Sequence, residues 1–212
     1  MHWIMNQKKT ILLDVDYTLY PRGTGPFKEV SKRIEKYVVS MLSLGLEEAR
    51  ELRKSYISRY GSTLGGLMHD HGVRPHEFLR YVHDVPVESL IKPDEKLRSV
   101  LEIIPYDMVA FSNASRDYVD RVLKQLGVAD LISGMFTIES MDFIPKPMKH
   151  AYRKVISTLD AKPGDLMVVD DMVENVLTAL KMGMSGVLVG TSGKPRGALY
   201  INDIYDIPRV VT

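Results

Sequence analysis

Thr10-Ile11-Leu12-Leu13-Asp14-Val15-Asp16-Tyr17-Thr18-Leu19-Tyr20 is an apolar run that closes on two acids one residue apart. A run without polar alternation fits a strand covered on both faces, as in a parallel sheet. A carboxylate at the end of a buried strand loses hydration and needs a cation or strong donors in return. The pair also fits an acidic turn in which Asp16 caps a helix. Taken alone, it leaves both readings open.

Further along, Met108-Val109-Ala110-Phe111, Leu166-Met167-Val168-Val169 and Gly186-Val187-Leu188-Val189 repeat the pattern, and Met135-Phe136-Thr137-Ile138 repeats it less cleanly. Helix-period faces separate them. Tyr118, Val122, Leu123 and Leu126 form one, closed by Gly127. Ala151, Tyr152, Val155, Ile156 and Leu159 form a second, and Val176, Leu177 and Leu180 before Gly183 a third. This alternation predicts an α/β fold built on a doubly wound parallel sheet.

Residues 21–92 break the rhythm. Phe27, Val30, Ile34, Tyr37, Val38, Met41 and Leu44 repeat at helical spacing up to Gly45. Ala49, Leu52, Tyr56 and Ile57 do so before Gly61, and Pro75 opens a helix carrying Phe78, Leu79 and Val82. The pattern predicts a helical module over 21–92, inserted after the first strand into a core made of 1–20 and 93–212. Ligands of open α/β sheets bind beyond the carboxyl ends of strands, so the insertion would cover the site.

The composition sets outer limits. A chain of 212 residues, 45% hydrophobic, has enough material for one domain with an inserted subdomain. Lys+Arg number 28 against 27 Asp+Glu, which argues against a nucleic-acid partner or a polybasic membrane surface. With no cysteine, disulfides, Cys-ligated metals and thiol catalysis are excluded. The stretch from Met1 to Lys9 lacks the apolar core of a secretory signal, and no run approaches the roughly 20 apolar residues of a membrane span. A cytoplasmic protein is expected, of undetermined oligomeric state.

The other strand ends add chemistry to the first. Ser112-Asn113 follows the second run and leads directly into a helix, so a hydroxyl, an amide and free N–H groups would face an anion there. Asp170-Asp171 closes another run. Between them stands Lys146-Pro147, where Pro147 is placed to open a helix. Carboxylates for a divalent cation, with donors and a positive charge for a phosphate, are what phosphoryl transfer requires.

At these residues the chain resembles the haloacid dehalogenase-like (HAD) superfamily. Asp14-Val15-Asp16-Tyr17-Thr18 matches its first motif, Ser112 the second, Lys146 the third and Asp170-Asp171 the fourth, across about residues 8 to 190. The resemblance implies a Rossmann-like core with a helical cap of the first type (C1) and Mg²⁺-dependent hydrolysis of a small phosphomonoester. It casts Asp14 as nucleophile and Asp16 as general acid and base. Thr18, Ser112, Asn113 and Lys146 would hold the phosphate, with Thr18 orienting either the phosphate or Asp14. Mg²⁺ would be held by Asp14, Asp171 and the backbone carbonyl of Asp16, with Asp170 a ligand or directly behind one. Dehalogenases of the superfamily lack the second acid of the first motif, and Asp16 is present here.

A closer likeness, to the pyrimidine 5′-nucleotidase-like branch, rests on Tyr17-Thr18-Leu19-Tyr20-Pro21, Tyr60-Gly61-Ser62-Thr63-Leu64, Gly66-Leu67-Met68, Tyr81-Val82-His83-Asp84 and Phe111-Ser112-Asn113-Ala114. It implies a nucleoside monophosphate as substrate. Several members of that branch carry Arg where this chain has Gly65. A phosphatase of phosphoglycolate or a sugar phosphate, a phosphosugar mutase and a non-catalytic module are the alternatives.

Specificity should lie in the cap, where Arg59, Tyr60, Thr63 and His69 are candidates to meet a base or sugar; packing and solvation explain each equally well. His69, His71, His76 and His83 are either a metal cluster or ordinary hydrogen-bonded histidines. Gly190-Thr191-Ser192-Gly193-Lys194-Pro195 lacks phosphate-loop spacing and reads as a mobile loop. Trp3 and the 12 methionines read as packing.

Overall fold

Ile11, Leu12 and Leu13 have no polar face to turn to water, and all three are buried in β1 (Thr10–Leu13), in the middle of a six-stranded sheet. The computed structural model describes residues 9–190 and 195–211; Trp3 and Thr191–Lys194 of the Gly190–Pro195 loop lie outside the described residues. β1 pairs in parallel with β2 (Asp107–Phe111) on one side and β4 (Leu166–Asp170) on the other. β3 (Gly134–Phe136) extends the sheet beyond β2, and β5 (Ser185–Val189) and β6 (Leu199–Ile201) extend it beyond β4. Every pairing is parallel, in the order β3-β2-β1-β4-β5-β6. The fold is a Rossmann-like α/β sheet.

From β1 the chain fills the sheet outward in one direction and then, from β4, in the other. The crevice at such a reversal opens beyond the carboxyl ends of β1 and β4.

Between β1 and β2 the chain is helical among the described residues: α1 (Gly25–Leu42), α2 (Leu46–Tyr60), α3 (Thr63–His71), α4 (Pro75–Val82), α5 (Val87–Leu90) and α6 (Glu95–Glu102). Two boundaries differ from the sequence expectation. α1 ends at Ser43 in the left-handed region (φ 53°), and Gly45 instead caps the start of α2, where its N–H donates to Glu48. α3 is not anticipated by hydrophobic period, because its close approach to α2 depends on Gly66. A Cβ there would lie 2.1 Å from Cγ of Tyr56.

After β2 follow α7 (Arg116–Leu126), α8 (Lys149–Leu159), α9 (Val173–Lys181) and α10 (Pro208–Val211). Tyr118, Val119, Val122, Leu123 and Leu126 of α7 are buried as the period predicts, as are Ala151, Tyr152 and Val155 of α8. Two helix starts need correction. α7 begins at Arg116 with Ser115 as N-cap, so Ser112-Asn113 does not run directly into it. α8 begins at Lys149, so Pro147 stands in the preceding turn and does not open the helix. Among the described residues, no helix is long and apolar enough to cross a membrane.

Candidate active site

The backbone ladder carries past the end of β1 by one step, the Asp14 N–H donating to the Val169 carbonyl at 2.9 Å. That step fixes the Asp14 side chain at the mouth of the sheet. Its Oδ2 accepts from Thr18 Oγ1 at 2.9 Å, and its Oδ1 accepts from Lys146 Nζ at 2.8 Å. Of the two expectations for Thr18, orienting Asp14 is the one its contact serves. Just beyond, Tyr17 takes a left-handed conformation (φ 63°), a costly choice for a residue with a Cβ.

Lys146 is 2% exposed and ties three strand ends together. Besides Asp14 after β1, its ammonium donates to Asp170 Oδ2 at the end of β4 (2.7 Å) and to the Phe111 carbonyl at the end of β2. Burial works against this charge, but Asp14 and Asp170 outweigh it and the pKa is raised. The lysine is therefore a fixed cation. Its main chain is held equally firmly: Asn113 Oδ1 accepts from the Lys146 N–H (2.8 Å) and Asn113 Nδ2 donates to the Lys146 carbonyl (2.9 Å). The Asn113 amide is thus turned onto Lys146 rather than towards an anion. Ser112 is buried, its N–H donating to the Phe136 carbonyl and its Oγ accepting from the Ala114 N–H.

The acids divide by what already holds them. Asp170, fully buried, accepts from Lys146, from the Met172 N–H and from Asn175 Nδ2 at both oxygens. Asp171 is paired through Oδ2 with Arg22 Nη2. Ligand oxygens of Asp14, Asp170 and Asp171 lie within 4.8 Å of one another, the one such group of possible metal ligands among the described residues. Asp16 accepts at Oδ1 from the hydroxyls of both Tyr20 and Tyr118, the latter at 2.8 Å.

Burial drives the electrostatics. It pushes Asp14 up to about 7, opposed by Lys146 and reinforced by Asp170 and Asp171. Asp16 also rises to about 7 through burial, with the Tyr20 hydrogen bond pulling it down and Asp14 pushing it up. Asp171 rises to about 6 through burial and Asp170, against Arg22. Four carboxylates thus face two cations, Lys146 and Arg22. The surplus negative charge and hard oxygen donors suit a divalent cation such as Mg²⁺. Asp14 and Asp171 are the acids with capacity to ligate it, while Asp170 is saturated by protein donors.

The cap closes over this site around a cavity of about 360 Å³, which runs from Asp14, Ser112 and Lys146 to Thr63 and the apolar sides of α1, α2 and α4. Thr63 lines it. Arg59, Tyr60 and His69 do not: they gather around the Tyr60 hydroxyl on the cap surface, with Asp70, at 3.0 to 3.2 Å. The histidines are likewise dispersed. His71 meets the Tyr56 hydroxyl at 2.9 Å, His76 lies edge-on to Phe143, and His83 is buried against Ser115 Oγ (2.9 Å) with its ring stacked on Tyr118. At Gly65 a Cβ would lie 2.9 Å from the Tyr60 carbonyl oxygen, so a side chain there requires a shift of backbone.

Sequence reasoning misses Tyr20, Tyr118, Asn175 and Arg22. Tyr118 is hidden among core positions of α7. Asn175 had a local signal, an amide in the first turn of the helix that follows Asp170-Asp171.

The haloacid dehalogenase-like hydrolase family matches residues 8–183. The chain belongs to that family. A curated relative of this hydrolase, Phosphate metabolism protein 8 of Saccharomyces cerevisiae, is 28% identical over 198 residues, covering 85% of this chain. The match spans 61% of that relative's length. Among solved structures, the HAD-hydrolase YfnB of Bacillus subtilis, described with magnesium bound, aligns at TM-score 0.63 and 13% identity over 97% of this chain and 99% of its own. A HAD phosphatase from Thermococcus onnurineus aligns at 0.58 and 21% identity, covering 95% and 97%. L-2-haloacid dehalogenase from Xanthobacter autotrophicus aligns at 0.60 and 15%, covering 96% and 98%. At these identities the likeness shows the fold, and the chemistry must be argued from the site.

Proposed function

We propose that this HAD-like hydrolase cleaves a phosphomonoester through an aspartyl-phosphate on Asp14, with a nucleoside monophosphate as substrate. The observation that carries the reading is the placing of Asp14 between a fixed cation and a second acid. Lys146 holds one of its oxygens, and Asp16 stands two residues away with Oδ1 tied by two tyrosines. Among the described residues no hydrogen bond reaches Asp16 Oδ2, which leaves that oxygen for proton transfer.

Asp14 attacks phosphorus in line as Asp16 protonates the leaving oxygen, and the alcohol departs. Asp16, now ionised, takes a proton from a water that attacks the same phosphorus, releasing phosphate and freeing Asp14. A carboxyl near 7 is suited to both duties at neutral pH. Lys146 and the N–H groups after β2 would face the phosphoryl oxygens. Mg²⁺, held by Asp14, Asp171 and the Asp16 carbonyl, would supply the charge that keeps Asp14 ionised and offsets repulsion between nucleophile and phosphate.

The nucleotide reading rests on the walls. Phe27, Val30, Ile34, Ile57, Phe78 and Leu79 surround the cap side of the cavity, a lining matched to a flat, weakly polar leaving group and mismatched to glycolate. The test is phosphate release from UMP, CMP, AMP, phosphoglycolate, hexose phosphates and p-nitrophenyl phosphate, each with and without Mg²⁺. Release from nucleotides at the highest kcat/KM is expected. If a small phosphate outranks every nucleotide, the substrate assignment fails. Hydrolysis at the wild-type rate by Asp14→Asn sinks the mechanism.

A further inference from the structure

The Tyr118 hydroxyl meets Asp16 only while its ring keeps one orientation, and His83 is stacked on that ring, with centroids 4.6 Å apart and planes inclined by 24°. His83 follows α4, where its N–H donates to the Leu79 carbonyl at 3.0 Å and closes the helix. Its Nδ1 meets Oγ of Ser115, the N-cap residue of α7, at 2.9 Å. The end of α4 is thus fastened to the start of α7, within about one turn of Tyr118.

The imidazole is buried and makes both contacts as a neutral ring, since burial pushes its pKa down to about 3. It places no charge beside the hydrogen bond from Tyr118 to Asp16. What it supplies is a surface. Stacked rings have a preferred geometry, so tilting the phenol away from Asp16 breaks the stack. The same helix also faces the cavity, where Phe78, Leu79 and Val82 stand among the lining residues together with His83. The element that meets the leaving group in the phosphomonoester reading therefore also braces the tyrosine that holds the acid.

We propose that His83 is a positioning residue for proton transfer, its ring keeping the Tyr118 hydroxyl on Asp16 so that α4 and the acid move as one unit. The inference rests on the phosphomonoester reading for the duty of Asp16. A histidine that only packed, or one that met the substrate directly, would give different kinetics.

Benzyl phosphate and p-nitrophenyl phosphate separate these roles. Benzyl alcohol needs a proton from Asp16 to leave, whereas p-nitrophenol is acidic enough to leave as its anion. His83→Gln keeps a partner for Ser115 and removes the ring; His83→Phe keeps a ring and removes the partner. In His83→Gln, kcat/KM for benzyl phosphate should fall by about 10-fold while that for p-nitrophenyl phosphate stays within about 2-fold, and His83→Phe should recover most of the loss. In a Tyr118→Phe background His83→Gln should cost nothing further, because the hydroxyl that the ring orients is gone. A loss shared equally by the two esters, a loss that persists on top of Tyr118→Phe, or no loss at all overturns the proposal. If far-UV circular dichroism shows His83→Gln unfolded, His83→Phe decides: wild-type preference between the esters upholds the stack, and a benzyl-selective loss as large as that of Tyr118→Phe rejects it. Wild-type protein inert on both esters rejects the phosphomonoester reading and this role with it. Hydrolysis without the selective loss rejects the role alone.

Discussion

Tyr118 donates its hydroxyl to Oδ1 of Asp16 at 2.8 Å across 102 residues of sequence. The tyrosine is fully buried on α7, so it fixes the Asp16 carboxyl to a helix packed on the sheet rather than to the helices between β1 and β2. Tyr20 meets the same oxygen from the chain that leaves β1. Asp16 is thereby oriented by two phenols that do not line the cavity.

Tyr118→Phe should lower kcat by about 10-fold with little change in KM, since losing one hydrogen bond loosens Asp16 without removing it. The double change with Tyr20→Phe should cost more than either single change. Far-UV circular dichroism should stay as in wild type. Unaltered turnover in the double variant would show that neither hydroxyl positions the acid.

Lys146→Met removes the cation that Asp14 and Asp170 share. Two buried carboxylates are then uncompensated, and unfolding in urea should show a loss of about 3–5 kcal/mol. Adding Asp170→Asn should recover part of it, because one of the orphaned charges is gone. Failure of the second change to help would mean the ion pairs are not what the lysine contributes.

His83 makes stability depend on pH. Burial pushes its pKa from 6.5 down to about 3, so between those values the unfolded chain binds a proton that the folded one refuses. This contribution to stability is present above pH 6.5 and is lost as the pH falls towards 3. The loss runs at about 1.4 kcal/mol per pH unit. His83→Gln should flatten the acid limb of a denaturation series relative to wild type. Parallel limbs would refute the assignment.

Gly66→Ala tests the contact between α2 and α3. The new Cβ would lie 2.1 Å from the Tyr56 ring, which is buried and cannot swing aside. A loss of about 1–3 kcal/mol is expected in chemical denaturation. Wild-type stability would mean that the helices separate freely.

Mg²⁺ should raise the melting temperature, with a stabilisation near 2.7 kcal/mol at a concentration 100 times Kd, about that expected of any ligand bound only by the folded state. Asp171→Asn should abolish the rise. An equal rise in that variant would place the ion elsewhere.

The sheet and its insertion are legible in the sequence because strands buried on both faces leave unbroken apolar runs. Acids closing two of those runs are costly enough to announce a site. β6 and α3 are not legible. Leu199–Ile201 is too short to show a period, and Thr63–His71 owes its place to a glycine under Tyr56 rather than to an apolar stripe. At the site, Asp14, Lys146 and Asp170 converge as their spacing suggests, whereas Tyr118 reaches Asp16 across the fold and has no local signature. Arg59 and Tyr60 look like specificity residues because they are polar and aromatic next to a glycine turn. Geometry turns them outward.

Lys146 spans the ends of β2, β1 and β4, three neighbouring strands. None of these groups can drift relative to the others without shearing the sheet itself. The apolar walls of the cavity belong to α1, α2 and α4, helices that Lys146 does not reach. Selection can therefore retune what the enzyme accepts by exchanging a few cap side chains, while the machinery that breaks the bond is inherited as a single unit.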